Sequence, residues 1–226
     1  ILAIGLVIAV AVGTKTMSQK GIYMTGSAEQ VVMSDSATWS VSVNTKNPTL
    51  SGAYQTLQKQ LPIVKQYLLD NGIKAENIKV EPASYWTSNK RLANGTVTDD
   101  IAAYNYTQTI KVKSDDVNKI QSLSTDIQKL TEQGIELNSN NPEYQYSKLA
   151  DLKVELLEKA SQDAKARANS TLKINGNKTG RILSVKTGVF QITAPESTSV
   201  SDMGIIDSYS IEKKVTAVVN VTYEIK

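Results

Sequence analysis

The stretch Glu143–Val185, EYQYSKLADLKVELLEKASQDAKARANSTLKINGNKTGRILSV, decides the fold. Leu152, Leu156, Ala160, Ala164, Ala168 and Leu172 recur every four residues, which puts them on one face of a long amphipathic helix. The row turns from leucine to alanine as it proceeds. Alanine lets a helix backbone lie close against a sheet, so the later part of the row is expected to be the tight contact, although alanine is also simply the best helix former. Glu155 with Lys159, and Asp163 with Arg167, are oppositely charged i, i+4 pairs on other faces. A glycine-containing break follows, and Arg181–Ile192 then reads as a strand.

Upstream of this helix the pattern alternates between strands and helices. Ile22–Ala28 reads as a first short strand. Ala37, Trp39, Val41 and Val43 alternate with Thr38, Ser40, Ser42 and Asn44, a half-buried strand with one hydroxyl-rich face. Thr49 or Ser51 is placed to cap a helix with the stripe Leu50, Tyr54, Leu57, Leu61, Val64 and Leu68. Pro62 is expected to kink that helix, and Gly72 with Ile73 to close it in a Schellman cap. Ile78–Asn89 and Ile101–Lys113 read as long antiparallel strands around the turn Leu92–Gly95. Ser114 is expected to cap the next helix, whose stripe is Val117, Ile120, Leu123, Ile127 and Leu130, with Gly134 ending it. Ile135–Leu137 starts a short strand.

Downstream, Thr193–Asp207 is rich in serine, threonine, proline and glycine and reads as a loop. Val215, Ala217, Val219, Val221, Tyr223 and Ile225 form the apolar row of a last strand. One-sided strands with helices between them predict an α+β fold: a mixed or mostly antiparallel sheet, or sheets, with about three helices packed on one face. The helix–glycine–strand unit occurs in LLDNGIKAENIKV and again in KINGNKTGRILSV, the mark of a weak internal duplication.

Ahead of the first strand, Ile1–Gly13 is ILAIGLVIAVAVG, without a charge. About 13 helical residues rise roughly 20 Å, short of the roughly 30 Å hydrocarbon core of a bilayer. The first residue is not methionine, so this segment is expected to be either a signal-peptide core or the outer part of a longer membrane anchor. Both place the remainder outside the cytoplasm, and the retained, single-pass anchor is the expectation adopted. The organisation is then residues 1–13 as anchor or signal, 14–20 as a polar linker, and 21–226 as one α+β domain.

Composition narrows the function. The chain has 25 basic and 22 acidic residues, a formal charge of +3, with the signs interspersed. Nucleic-acid binders concentrate a basic stripe, so no nucleic-acid partner is expected. The chain contains neither cysteine nor histidine. That removes disulfides, thiolate chemistry, the usual neutral-pH base and the commonest metal ligand. Gly176–Gly180 (GNKTG) has a lysine–threonine pair after a glycine, but a phosphate loop needs a strand before it and a helix after it, the reverse of the order here. Asp99–Asp100 and Asp115–Asp116 are adjacent carboxylates with ordinary strand and capping roles. No catalytic, cofactor-binding or metal-ligating residue is assigned, no cofactor is expected, and the chain is expected not to be an enzyme. Trp39, Tyr85, Trp86, Tyr104 and Tyr106 are the aromatic concentration. They suit a ligand groove or a subunit contact, and a plain sheet–helix core uses such residues too.

With these residues laid out, the chain resembles the SIMPL-domain family, a domain of unknown function. The resemblance rests on IYMTGSAE (Ile22–Glu29), SDSATWSVSV (Ser34–Val43), LLDNGIKAENIKV (Leu68–Val80), KVKSDDVNKI (Lys111–Ile120), ASQDAKARA (Ala160–Ala168), GRILSV (Gly180–Val185) and VTAVVNVTYEI (Val215–Ile225). It covers essentially everything after the linker and is closest to the membrane-anchored bacterial branch. It implies a periplasmic or envelope setting, assembly into homo-oligomers in some members, and no established catalytic residues to carry over. The expectation is an exported envelope protein acting through self-association or partner binding; the alternative is an extracytoplasmic small-ligand-binding domain using the aromatics. For association the first strand matters most. It holds no lysine or proline, so its edge either pairs with a second chain or is covered by the Thr193–Asp207 loop.

Overall fold

A computed structural model describes residues 20–226; the apolar segment 1–13 and all but Lys20 of the linker lie outside the described residues. Among the described residues no helix is long and apolar enough to cross a membrane. The elements, in chain order, are β1 (Gly21–Met33), β2 (Ser36–Asn47), α1 (Leu50–Asp70), β3 (Ile78–Val80), β4 (Ser84–Arg91), β5 (Val97–Ser114), α2 (Val117–Asp126), β6 (Glu136–Ser139), β7 (Glu143–Gln145), α3 (Leu149–Lys173), β8 (Thr179–Thr187), β9 (Gln191–Thr193), β10 (Ile205–Ile206) and β11 (Glu212–Ile225).

The strands form two sheets. In the five-stranded one, β11 is central: β1 pairs along one side of it, β8 and β9 along the other, and β10 adds to β9. In the six-stranded one, β2 and β5 pair at the centre, β6 and β7 flank β2, and β3 and β4 flank β5. All pairings are antiparallel except β9 with β10, so the class is α+β with one mixed and one antiparallel sheet. The helices divide between the sheets: α1 and α2 lie on the six-stranded sheet, α3 on the five-stranded one.

Local chemistry explains most boundaries. Thr49 Oγ1 accepts from Gly52 N at 3.1 Å and caps α1. Gly72, at φ 80°, donates to Leu69 O, while Ile73 N donates to Leu68 O at 3.0 Å; this is the expected Schellman closure, and Ile73 is buried. The same two bonds recur after α3, from Gly176 N to Lys173 O and from Asn177 N to Leu172 O. The shared helix–glycine–strand motif is therefore a shared cap.

Three expectations change. The helix after β5 is capped by Asp116, which accepts from Lys119 N at 2.9 Å, while Ser114 Oγ instead accepts from Asp116 N. The strand expected over 78–89 breaks at Glu81–Ala83, where Pro82 has no N–H for a ladder. The strand expected over 181–192 breaks at 188–190, between β8 and β9.

Candidate functional site

The long first strand is where the sequence reading pointed, and β1 runs five residues beyond the expected Ala28. Among the described residues it pairs only with β11. In an antiparallel pair, successive residues turn their backbone groups alternately toward and away from the partner. Ser27 N donates away from β11, to Asp163 Oδ2 at 2.9 Å. The outward set is therefore Gly21, Tyr23, Thr25, Ser27, Glu29, Val31 and Met33, and among the described residues only the Ser27 N–H of this row has a partner. The Thr193–Asp207 loop does not cover this edge. Its bounding strands, β9 and β10, pair on the far side of β11.

The strand lies where α3 can come closest. A Cβ placed on Gly26 would stand 2.1 Å from Ala160 O and 2.4 Å from Ala164 N. Ala160, Ala164 and Ala168 are fully buried against Val219, Val221 and Tyr223. The alanine row is thus the tight contact that its composition predicted, and Gly26 is its counterpart on the sheet. This approach brings α3's charged flank to the strand edge. Asp163 is held by Ser27 N–H and by Arg167 Nε at 2.8 Å. The backbone donor first, and the guanidinium second, keep its carboxyl below the ordinary value of 3.8. Lys159 reaches Gln30 Oε1 at 3.4 Å while pairing with Glu155 at 2.6 Å.

The aromatic concentration separates into three places. Trp39 is in the core under α1 and α2, 1% exposed, with Nε1 donating to Ser139 Oγ at 3.1 Å. Trp86 stands half exposed on the opposite face of the six-stranded sheet, paired with Asn105. Tyr85 and Tyr106 are cross-strand partners with ring centroids 5.3 Å apart, and Tyr104 is half-buried two residues further along β5. Tyr54 of α1 completes this group, 5.5 Å from Tyr106. The periodicity assigned Tyr54 to the buried stripe; it is 45% exposed because the buried row of α1 runs through Ala53, Leu57, Val64 and Leu68, which leaves Leu50 and Tyr54 to one side of it. Beyond Tyr104, β5 pairs with β4 alone, so Ser88–Arg91 and Val97–Ala103 form a projecting two-stranded arm that carries exposed Leu92, Val97 and Ile101.

The open face of the six-stranded sheet is polar. A shallow trough of about 590 Å³ there is lined by Thr38, Ser40, Lys111, Asn140, Glu143 and Tyr209. Among the described residues no group of three or more aspartates and glutamates stands close enough to hold a metal ion.

A family model described as SIMPL, protein of unknown function (DUF541), matches residues 22–223. No curated protein matches the chain. The match begins within β1 and ends within β11, so it takes in both sheets and all three helices.

Proposed function

The chain belongs to the SIMPL family of unknown function, and from that premise we propose that it works by association rather than catalysis, a second copy adding a strand along the outer edge of β1. The observation that carries this reading is the outward row of a 13-residue strand, which among the described residues is unpaired except at Ser27. Unpaired strand edges are templates for pairing, and natural proteins usually blunt them with lysine, proline, bulges or a covering loop. The β1–β11 register is unbroken from Gly21 to Met33, and the edge has one blocking contact, Asp163 on Ser27. The tyrosine group and the projecting β4–β5 arm offer further apolar contact area. The neighbouring, mutually tilted rings of Tyr54, Tyr85 and Tyr106 also favour a second reading, small-ligand binding, but Trp39 and Trp86 lie elsewhere and leave that group without an enclosing wall.

The alternation of the ladder makes a clean test. Val31→Pro removes an outward N–H and leaves the bonds to β11, whereas Val32→Pro removes an inward one. Light scattering on residues 20–226 is expected to give a mass that rises with concentration for the wild type. Val31→Pro is expected to stay folded and monomeric, and Val32→Pro to lose structure. A wild-type monomer at every accessible concentration overturns the proposal.

We propose further that the protein sits at the cell envelope, with residues 1–13 retained as part of a membrane anchor and the α+β domain on the extracytoplasmic side. The uncharged run and the absence of cysteine and histidine motivate this. Fractionation followed by N-terminal sequencing tests it; a soluble product starting near Thr14 overturns it.

A further inference from the structure

We propose that a cavity beside Lys213 binds a small uncharged molecule that is mostly apolar and carries one hydrogen-bond acceptor, of the class of short-chain ketones and esters. Lys213 lies on β11 in the row that faces inward, between Ile211 and Val215 and opposite Val32 of β1. It is 4% exposed, although lysine is almost never fully buried without a paired charge. Beside it is a cavity of about 290 Å³, walled by Val32, Leu149, Ile192 and Val215 with Tyr144 and Tyr146. The size suits a small ligand, and the lining has the usual character of a ligand site, apolar walls with few polar groups.

The polar groups define the ligand. Among the described residues, Lys213 Nζ donates one hydrogen bond, to the main-chain oxygen of Asp207 at 2.6 Å. Among the described residues it lies in no ion pair, so Nζ keeps hydrogens that the protein does not use as donors. Of the neighbouring carboxylate, Asp207 Oδ1 accepts from Tyr209 N and Ser210 N, while Oδ2 is buried and has no hydrogen-bond partner among the described residues. Asp207 nonetheless offsets the lysine charge from nearby. A carboxylate ligand would bring a second negative charge into an apolar space beside Asp207, and a cation would face Lys213. A neutral acceptor avoids both costs, since burying an uncompensated charge is far more expensive than burying a hydrogen-bonded dipole. The alkyl part of such a molecule lies against the valine, leucine and isoleucine walls.

The test is a titration of the full chain, with isotope-labelled methyl groups, by methyl pentyl ketone and separately by hexanoate. The ketone is expected to shift the methyl signals of Val32, Leu149, Ile192 and Val215, and hexanoate to bind about tenfold more weakly or not at all. Lys213→Met keeps the length and apolar stem of the side chain and is expected to weaken ketone binding about tenfold. No shift at these methyls up to the solubility of the ketone, hexanoate binding as well as the ketone, or a folded Lys213→Met that binds the ketone undiminished each overturns the proposal. The comparison of the two probes on the wild-type chain stands even where the variant does not fold.

Discussion

Helix α3 meets its sheet through alanine and glycine, whereas α1 and α2 meet theirs through leucine, isoleucine, valine and tryptophan. On the six-stranded sheet, Trp39, Leu57, Leu68, Ile110 and Ile120 fill the space between layers and are at most 1% exposed. On the five-stranded sheet, the middle of α3 rests backbone to backbone over Gly26, and large side chains appear only toward its ends, at Leu152, Leu156 and Leu172. The first kind of contact gains by burying area; the second gains by close approach and has no room to add an atom. The two halves of one domain should therefore respond oppositely to removing and to adding side-chain volume.

Truncation gives the largest effects. Trp39→Ala is expected to cost about 3–5 kcal/mol and Leu156→Ala roughly 2–5 kcal/mol, since each removes a fully buried side chain and leaves a cavity. Denaturant melts measure both. If Trp39→Ala leaves stability unchanged, the six-stranded sheet does not depend on filling.

Enlargement sharpens the contrast. Ala164→Leu is expected to cost about 1–3 kcal/mol, and Gly26→Ala to fall at the upper end of that range for a single added carbon, because the atoms it meets are helix backbone. Chemical denaturation of the two variants beside Leu156→Ala reads the difference. A neutral Gly26→Ala would mean that α3 can lift from the sheet without loss.

The smallest effect concerns the carboxylate that ties α3 to the strand edge. Asp163 is held below 3.8 by the Ser27 N–H and by Arg167, so its folded pKa lies below its unfolded one. A depressed carboxyl contributes stability that is present above the unfolded pKa and lost as pH falls through the folded value. Wild type is expected to melt slightly above Asp163→Asn at neutral pH, and the two to converge as the pH is taken down from 3.8. A gap that persists in acid would assign the difference to packing rather than charge. Because the group is near the surface, added salt should narrow the gap.

The buried row of α3 was legible in the sequence residue for residue: Leu152, Leu156, Ala160, Ala164, Ala168 and Leu172 are its buried positions. The α2 stripe through Leu130 is likewise buried throughout, and the caps at Thr49, Gly72 and Gly134 lie where their chemistry placed them. These features depend on residues within a turn or two of one another, and helical and strand periods record them directly. The candidate site was less legible. The five aromatics shared a composition signal and not a location, since Trp39 and Trp86 point to opposite faces of one sheet and the tyrosines recruit Tyr54 from a helix.

What the sequence by itself determined was the set of elements and which face of each is apolar, because both are written in short-range periodicity. Only the tertiary structure decided how those faces were shared out: two sheets, β1 at the edge of one of them, and Gly26 beneath Ala160 and Ala164. The same holds for Lys213. The inward row read from the sequence began at Val215; the structure extends it back to Lys213, and nothing local states that Asp207, Val32 and Ile192 would gather around it. Contacts between residues far apart in the chain follow from the path of the backbone, and a periodic pattern carries the orientation of a side chain but not what stands opposite it.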